Sequence, residues 1–597
     1  MRFSIVAILV LFAALSGHKA WAVDNLYDFD NATYTPNTVK LYDSIETKFK
    51  RNRYSKFFYN LFFVDINKPT KNSMDKTLKF DEFRGYEIED IYIHRINVFD
   101  TTRYNNWFAR FGNKIHRITH ERRIRQDIFF SRGDDLDPQA LVYNEQFLQA
   151  RSYLYRANIR LEHYPMDDEK IDLHYYTQDT WSLGFSADLS LKSNSSVDVF
   201  DKNILGTGYQ LNVKTNFNIG SGEYGGNQFE FTMPNLFGSF FSVNLYAGHN
   251  FTYYNTGVGV NKSLIQKSDY MLKLGIYERK EGFYNLSRDT TTTIKHENIE
   301  LQVGKSFFLE GINSSIYLIG SFTHRYYTKR DRVSEILNPE FHNKTLYLLG
   351  LGIYRENFNV SNLIYGFGHK EYVSRGFKAE LLGGFRHSEF FDDFYMGLNF
   401  SQGEFTNIGY IMAKFEIGSY VEPQNNLFRQ SALSAEIRYF SNILKAGRSR
   451  IRQFVSAGYI RGWNRLQGSN EFISLDRDDL RGLDIYAYGQ QKLLINTETV
   501  VFTPYSPLGF RLAIFGFADF GIIGNQVNMQ RNACFTTFGL GVRIKNEHLV
   551  FSRLELRLGF SINNQGWINN DIFRFSNDYS LDQYRYLPSG ISTIDYQ

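Results

Sequence analysis

Residues 180–580 alternate apolar and polar side chains in run after run, and this feature constrains the fold more than any other. In the run Leu554–Phe560, every second residue is Leu or Phe, and Glu555 and Arg557 stand between them. A period of two gives a strand one apolar face and one polar face. Clusters of Gly, Asn and Asp separate the runs, as turns require. The pattern therefore predicts a long succession of antiparallel strands.

The length of this zone and the charges on its polar face favour a membrane barrel over a soluble sandwich. About 400 residues carry the pattern without a helical interruption, which is far beyond the usual size of a sandwich. Ionised residues recur on the polar face, as an aqueous lumen allows, and about 16 strands of roughly 24 residues each would fill the zone. The predicted fold is mainly β: a transmembrane antiparallel β-barrel of about 16 strands, preceded by a small α+β domain. A soluble all-β repeat protein is the alternative.

The first 22 residues have the features of a secretion signal peptide. Arg2 is followed by the apolar run Ile5–Leu15, and Ala20-Trp21-Ala22 fits a cleavage site with small residues at its first and third positions. After residue 22, the sequence has no stretch of about 18 apolar residues that could span a bilayer as a helix. A bilayer-spanning structure must then be a closed barrel. We therefore predict an exported protein of the bacterial outer membrane.

Two regions precede the predicted barrel, and a tail, residues 581–597, follows it. Residues 23–75 begin as a polar linker and include a basic amphipathic helix at Val39–Phe63. Packing on the next domain, contact with a membrane surface and plugging of a pore are all open alternatives for this helix. The pattern of residues 76–179 predicts the order β-α-α-β-β, with elements at Tyr86–Val98, Lys114–Phe129, Pro138–Tyr155, Arg156–His163 and Lys170–Tyr176.

Composition and motifs argue against nucleic-acid binding, metal binding and catalysis. The 67 basic and 63 acidic residues nearly balance, so no global charge attracts nucleic acid. The single cysteine, Cys534, excludes a disulfide or a cysteine-based zinc site within one chain. His116 and His120 have the i, i+4 spacing of a metal pair on a helix, but no third ligand accompanies them. We expect no cofactor, no metal and no enzymatic activity.

The layout resembles the BamA/TamA superfamily of outer-membrane assembly and translocation barrels. The β-α-α-β-β unit resembles a POTRA domain, and the junction Asp179-Thr180-Trp181 resembles the family's entrance to the first barrel strand. Residues 201–208, Asp-Lys-Asn-Ile-Leu-Gly-Thr-Gly, resemble the segment that follows this strand. The chain departs from the family pattern in having one evident POTRA-like unit and in lacking a terminal aromatic strand end.

Two further motifs carry the resemblance in the later part of the chain. Arg481-Gly482 resembles the Arg-Gly-aromatic motif of the sixth outer loop, with Leu483 at the aromatic position. Phe517-Ala518-Asp519-Phe520-Gly521 matches the family's F-x-D-x-G strand motif, and Glu498 stands between the two motifs. The resemblance implies that the loop folds into the lumen, where Arg481 meets acidic residues of the wall. A guanidinium in a partly dehydrated lumen independently requires such a carboxylate partner.

The resemblance also implies a function in protein insertion, assembly or translocation. Its expected partners are outer-membrane lipid, unfolded or nascent client proteins and accessory periplasmic or lipoprotein factors, without nucleic acid. The small domain is expected in the periplasm, where a sheet edge pairs with a client strand. The first strand, predicted at Trp181–Leu191 and including Leu183 and Phe185, forms a lateral seam with the last strand, which the pattern places at Ile572–Ser576. A two-partner-secretion pore for a dedicated client, a passive porin or surface receptor, and a soluble exported binding module are the alternatives.

Overall fold

A computed structural model describes the chain from residue 80 to residue 596, with gaps. The described residues are 80–98, 110, 113–114, 116–189, 194–251, 253–266, 268–285, 290–335, 338–364, 366–367, 371–423, 427–466, 471–476, 479–483, 487–505, 510–525, 532–546, 554–563, 566–567, 573–576 and 585–596. The predicted signal peptide (1–22) and the linker with its amphipathic helix (23–75) lie outside this part of the chain.

Residues 80–98 and 116–179 form a small α+β unit, called the small domain below. Its elements are β1 (Glu87–Ile96), α1 (Glu121–Gln126), α2 (Pro138–Gln149), β2 (Leu154–His163) and β3 (Lys170–Asp179). The central strand β3 runs parallel to β1 and antiparallel to β2, so β1 and β2 are the two sheet edges. Asp137 caps α2 by accepting a hydrogen bond from the Gln139 backbone N at 2.9 Å, and Pro138 occupies the first turn.

Helix α1 is shorter than the helix predicted at Lys114–Phe129. Its first turn follows His120, whose backbone is extended, and residues 116–120 are not helical, although Lys114 is. The backbone N of Thr119 donates to the Asp179 carboxylate at 2.7 Å, and that of His120 donates to the Gly206 carbonyl at 2.9 Å. These tertiary hydrogen bonds use N–H groups that a longer helix would need for itself.

The strands that follow the small domain form a closed antiparallel barrel and one separate hairpin. The remaining strands are, in chain order, β4 (Leu183–Asp188), β5 (Asn194–Asp201), β6 (Gln210–Asn218), β7 (Tyr224–Met233), β8 (Ser242–Asn250), β9 (Tyr253–Lys262), β10 (Tyr270–Asn285), β11 (Thr290–Leu309), β12 (Ser314–Lys329), β13 (Lys344–Ser361), β14 (Glu371–Ser388), β15 (Asp392–Thr406), β16 (Gly409–Glu422), β17 (Leu427–Ser441), β18 (Leu444–Ala446), β19 (Ser449–Trp463), β20 (Ile473–Leu475), β21 (Ala487–Gly489), β22 (Gln491–Phe502), β23 (Phe510–Gly524), β24 (Ala533–Asn546), β25 (Leu554–Asn563), β26 (Gly566–Trp567) and β27 (Phe573–Ser576).

The barrel confirms the predicted fold class, but the predicted number of about 16 strands is wrong. Within the described residues, the ring contains 22 strand segments. Two of them, the short β18 and β26, lie beside strands that also pair directly with each other, β17 with β19 and β25 with β27. The ring therefore passes through 20 full strands. The prediction assigned too many residues to each strand and its turn: β5 to β9 have only 8–10 residues each, and β8 is joined to β9 by a two-residue connection.

The outer face of the barrel is apolar. On β13, Tyr347, Leu349 and Leu351 are exposed and alternate with the buried Leu348 and the lumen-facing glycines. The same alternation exposes Phe394, Met396, Leu398 and Phe400 on β15. An apolar band around a closed ring is the surface that a bilayer requires of a spanning barrel. Among the helices of the described part, none has the length and hydropathy to cross a membrane.

Three parts of the chain fill or close the barrel lumen. The small domain lies against the end at which β4 begins. The inner loop, defined here as residues 464–490, enters from the opposite end and carries the β20–β21 hairpin. The strap, defined here as residues 585–596, follows the last barrel strand and lies against the inner wall between Glu356 and Gly462. The lumen is therefore occupied by segments that enter from both ends.

Candidate functional site in the barrel lumen

The inner loop packs into the lumen through a cluster of leucines. Leu475, Leu480 and Leu483 are buried together with Ile523 of β23 and Phe535 of β24. Burying these side chains against the wall stabilises the folded-in position by removing apolar surface from water, at about 25 cal/mol per Å². Leu483, which follows the Arg481-Gly482 pair, therefore supplies an apolar contact between the inner loop and the wall.

Arg481 at the tip of the inner loop reaches two carboxylates of the wall. Its backbone N, Nε and Nη2 donate to Asp519 at 3.1, 2.8 and 2.7 Å. Its Nη1 donates to Glu498, and its Nη2 also donates to the Thr497 carbonyl at 3.1 Å. Arg481 is only 3% exposed. The loop is therefore held by charge-assisted hydrogen bonds in a site without bulk water, where such bonds are strong.

The ion pair is part of a larger buried network that sequence reasoning missed. Arg543 of β24 donates to Glu498 from Nη1 and Nη2, the latter at 2.8 Å, and from Nε to Glu555 at 2.7 Å. Arg557 Nη1 lies 3.7 Å from Glu555 Oε1. The connected network therefore contains three buried arginines (Arg481, Arg543 and Arg557) and three buried carboxylates (Glu498, Asp519 and Glu555). A balanced set of this kind avoids a buried unpaired charge. The alternating Arg543, Glu555 and Arg557 on the polar strand faces were the available sequence signal.

The other residues of the predicted motif bring the loop and wall together. The Phe517 ring lies under the Arg481 guanidinium, 4.4 Å from ring centroid to Cζ. A Cβ at Gly521 would lie 2.8 Å from atoms of Leu475 and Leu480, so glycine makes room for the leucine cluster. Phe517 thus contacts the Arg481 guanidinium, and Gly521 leaves space for the leucines of the inner loop.

Gly482 permits a close approach between the inner loop and β25. Its φ of +90° is unfavourable for a side chain, and a Cβ there would stand 3.3 Å from the Gly559 backbone. The Ser561 hydroxyl donates to the Gly482 carbonyl at 2.9 Å. The Arg-Gly pair thus links the loop to β23 through its first residue and to β25 through its second.

The seam of the barrel is formed by two short strands. The first barrel strand, β4, covers only Leu183–Asp188 of the predicted Trp181–Leu191, and the four-residue β27 is hydrogen-bonded to it. Leu183 and Phe185 are 53% and 55% exposed, so both lie on the outer, apolar face. Trp181 precedes the strand and lies near His116 of the small domain, with 6.2 Å between the ring centroids. A seam of this length has fewer ladder hydrogen bonds than pairs such as β13–β14.

Asp127 at the end of α1 joins the small domain to the barrel. Its carboxylate accepts from Arg123 Nη2 at 2.9 and 3.0 Å, from Arg151 Nη2 at 2.6 Å and from the Tyr153 hydroxyl. The amide of Asn235, in the loop between β7 and β8, donates to the same carboxylate at 2.6 Å. Burial, and then the neighbouring Asp127 carboxylate, raise the pKa of the Tyr153 phenol, so this hydroxyl stays a donor.

A second contact lies at the start of α1, around Asp179. Its carboxylate accepts from the Thr119 hydroxyl at 2.9 Å and contacts His116 Nε2 at 2.9 Å. Asn203, in the loop between β5 and β6, donates from its amide to the Thr119 hydroxyl at 2.8 Å. A Cβ at Gly206 of the same loop would lie 2.6 Å from the Ile118 carbonyl oxygen. The loop therefore fits closely against the small domain.

Two barrel loops contact the small domain: one between β5 and β6 and one between β7 and β8. They share a sequence pattern and a geometry, although the sequence analysis identified only the first. Residues 203–207 read Asn-Ile-Leu-Gly-Thr and residues 235–239 read Asn-Leu-Phe-Gly-Ser. In each loop the asparagine Oδ1 accepts from the backbone N five residues later, at 2.7 and 2.6 Å. The third residue of each has a φ near +50°. This repeated Asn-x-x-Gly pattern was the signal for the second contact.

Helix α2 contacts the opposite side of the same barrel end. The Tyr143 hydroxyl donates to the Glu356 carbonyl of β13 at 2.9 Å, and the Tyr372 hydroxyl of β14 donates to Glu145 at 2.5 Å. Together with the loops that hold α1, these contacts place the small domain across the barrel mouth.

A polar cavity remains in the lumen beside the first strands. It has a volume of about 570 Å³ and is lined by residues of β4 to β9 and by Lys202, which follows β5. Among them are Asp198, Lys202, Lys214, Gln228 and Glu230. A lining with amide groups and charges of both signs is better suited to bind water or an extended polypeptide than an apolar small molecule.

The two histidines with metal-pair spacing are used separately. His116 contacts Asp179, and His120 Nε2 contacts the Leu205 carbonyl at 3.0 Å. No cluster of three or more His, Cys, Asp or Glu residues suitable for a metal occurs among the residues that the structure describes. His116 thus contacts Asp179 within the small domain, and His120 contacts a loop of the barrel.

No protein-family model and no curated protein matches the sequence. Among solved structures, the chain is similar to BamA from Haemophilus ducreyi lacking POTRA domains 1–3, at 11% identity and a TM-score of 0.37, over 81% of this chain and 84% of that chain. It is also similar to CdiB from Acinetobacter baumannii, at 10% identity and a TM-score of 0.40, over 97% and 98% of the two chains. For CdiB from Escherichia coli, the identity is 10%, the TM-score is 0.39, and 91% and 99% are covered.

Proposed function

We propose that this protein is a barrel of the bacterial outer membrane that assists the insertion, assembly or translocation of other proteins and performs no enzymatic reaction. The observation that carries the proposal is the inner loop anchored inside the lumen by Arg481, Asp519 and Glu498. A diffusion pore requires a free water path, whereas this lumen holds a folded loop and a strap and is covered by the small domain. Such an arrangement suits controlled handling of a polypeptide.

The proposed orientation places the small domain, as a POTRA-like unit, in the periplasm. Its sheet has two edges, β1 and β2. Side chains of α2 accept from the backbone N–H groups of Ala157 and Ile159 on β2, so β1 is the edge proposed to accept an extended strand by backbone pairing. The short β4–β27 seam begins next to the small domain, because Trp181, just before β4, lies near His116. A client strand released from the domain would therefore meet the seam next. The partners in this proposal are membrane lipid, unfolded clients and accessory periplasmic or lipoprotein factors.

Photocrosslinking in cells tests the proposal at the seam. A photoreactive residue at Phe185 of β4 is expected to give protein adducts with unfolded clients. The same residue at Leu349 of β13 is the matched control, because both positions are 55% exposed on the outer face and only Phe185 lies at the seam. Equal adduct formation at the two positions would show random contact and contradict the proposal.

The identity of the adducts separates assembly from two-partner secretion. Several unrelated membrane proteins captured at Phe185 support assembly, whereas one exported protein captured at lumen positions such as Gln228 supports a dedicated secretion pore. A passive porin is tested by planar-bilayer conductance. We expect low conductance with brief openings, and a steady, wide pore would favour the porin.

A further inference from the structure

The strap is not an additional barrel strand, because its backbone hydrogen-bonds to side chains of the wall and not to the backbone of a neighbouring strand. Its backbone N–H groups donate to three wall side chains: Tyr586 N to Glu356 at 2.9 Å, Ile591 N to Gln302 at 2.9 Å and Ile594 N to the Tyr395 hydroxyl at 2.9 Å. Gln302 also donates to the Ile591 carbonyl at 3.0 Å. The described residues of the strap have no strand pairing. An extended chain bound in this way can leave without breaking the barrel.

The strap runs along the lumen from one barrel end toward the other. At the small-domain end, Arg585 pairs with Glu356 at 3.1 and 3.2 Å. At the opposite end, where the inner loop enters, the Tyr596 hydroxyl donates to the Gln490 carbonyl at 3.1 Å. The Arg465 guanidinium covers the Tyr596 ring, with 3.9 Å between Cζ and the ring centroid. The strap thus follows the direction that a transported polypeptide would take.

A row of glycines in the wall makes room for the side chains of the strap. A Cβ at Gly403 would meet the Tyr586 hydroxyl, and one at Gly350 would lie 2.8 Å from Ile591 Cγ2. At Gly462, a Cβ would lie 2.3 Å from the Tyr596 ring. At Gly418, a Cβ would lie 2.2 Å from the Tyr395 hydroxyl, which accepts from Ile594 N, and 3.3 Å from Ile594 Cγ2. Gly350, Gly403 and Gly462, on three different strands, thus make room for strap side chains, and Gly418 makes room for the Tyr395 side chain that binds the strap backbone. We call this glycine-lined surface the track.

Glu356 connects the track to the small domain. Its carboxylate binds Arg585 and the Tyr586 backbone of the strap, while its own carbonyl accepts from Tyr143 of α2. The Ser374 hydroxyl donates to the same carboxylate at 3.0 Å. A change in the position of the small domain therefore acts on the residue that anchors the beginning of the strap.

We propose that the track is a binding site for an extended polypeptide with spaced aromatic and aliphatic side chains, and that the strap is its resident occupant, which a client segment displaces. This inference rests on the proposed function in one respect: the displacing segment belongs to a client protein. A polypeptide that binds the track must form backbone hydrogen bonds with Glu356, Gln302 and Tyr395. Its side chains must fit the space beside the glycines of the track. In the resting state the tethered strap occupies the track at a high effective concentration.

Peptide binding to the purified full-length chain in detergent tests the track. The probe is a fluorescent synthetic peptide with the sequence of residues 585–596. In Ile591→Asp, a charge placed against Gly350 and Leu382 releases the strap, and we expect the peptide to bind at least about tenfold more tightly than to the parent. Ser592→Asp is the matched control, because Ser592 is the exposed neighbour, and it should behave as the parent. A scrambled peptide should bind neither variant.

A disulfide lock tests the same inference without a destabilising charge. In a Cys534→Ser background, Gly350→Cys with Ile591→Cys is expected to bring two sulfurs within bonding reach, because a Cβ at Gly350 would lie 2.8 Å from Ile591 Cγ2. We expect this pair to crosslink on oxidation and to bind no peptide until it is reduced, and the reduced form of the same variant is the control. Equal peptide binding in the oxidised and reduced states, or no crosslink in a heat-modifiable folded barrel, would overturn the inference.

The outcome is separable from that of the proposed function. Peptide exchange without client adducts at Phe185 would retain the track and remove the transport role. Client adducts without peptide exchange would retain the transport role and remove the track.

Discussion

Arg481 and Asp519 are 38 residues apart in the chain, yet three nitrogen atoms of the arginine donate to the one carboxylate. One of the three is the backbone N, so the pairing fixes the path of the inner loop as well as its side chain. Because Asp519 is on β23, which pairs with a strand on each side, the loop is attached directly to the barrel wall.

Replacing Arg481 should free the inner loop and destabilise the barrel. Arg481→Ala leaves Asp519 buried without its guanidinium partner, and breaking a buried pair costs about 3–5 kcal/mol. We expect a lower urea midpoint in detergent and faster protease cleavage within residues 464–490. Arg481→Lys retains the charge but not the planar fork, so an intermediate loss is expected. An unchanged midpoint for Arg481→Ala would contradict the anchoring role.

Arg481 and Arg543 should be energetically coupled, because both donate to Glu498. In a double-mutant cycle with alanine at both positions, we expect a deviation from additivity of about 0.5–3 kcal/mol in the free energy of unfolding. Arg386 provides the control, because it forms a separate buried pair with Asp393 at 2.8 Å. Arg481→Ala and Arg386→Ala should therefore add. Additivity in both cycles would argue against the shared carboxylate.

Gly206→Ala should loosen the small domain, whereas Gly222→Ala should not. Both glycines have positive φ, +78° and +69°, so the backbone strain is similar. Only the Cβ at position 206 meets an atom, the Ile118 carbonyl oxygen at 2.6 Å, while the space around Gly222 is open. Hydrogen exchange should rise in residues 116–127 for Gly206→Ala alone. The same exchange pattern in both variants would assign the effect to strain and not to docking.

A charge should be tolerated on the lumen face and harmful on the outer face of neighbouring strands. Leu245 of β8 is exposed on the outer side, and Gln228 of β7 lines the polar cavity. Leu245→Arg should lower the free energy of unfolding in lipid by up to about 2–4 kcal/mol, depending on its depth in the bilayer, and Gln228→Arg should change it little. The measurement is unfolding in lipid vesicles. Equal tolerance at both positions would contradict a bilayer around this face.

Local patterns in the sequence indicated much of the candidate site. The spacing of Phe517 and Asp519 puts both on one strand face, and Ile514 on the other, because strand faces alternate with a period of two. Arg481 was assigned to these residues by the order of the motifs. The structure brings Arg481, Glu498, Asp519 and Phe517 together. Arg543 and Glu555 were missed, because a strand arginine without a local motif has many possible partners.

The sequence by itself determined the barrel class and the division of each strand into an apolar and a polar face, since side-chain alternation is a local property of the backbone. Tertiary structure alone decided the ring of 20 strands, the length of α1 and the place of residues 585–596. Each depends on contacts between residues distant in the chain, such as His120 with Gly206 or Ile591 with Gln302. Such contacts compete with local hydrogen bonding, and the outcome is set by the space that the closed barrel leaves inside.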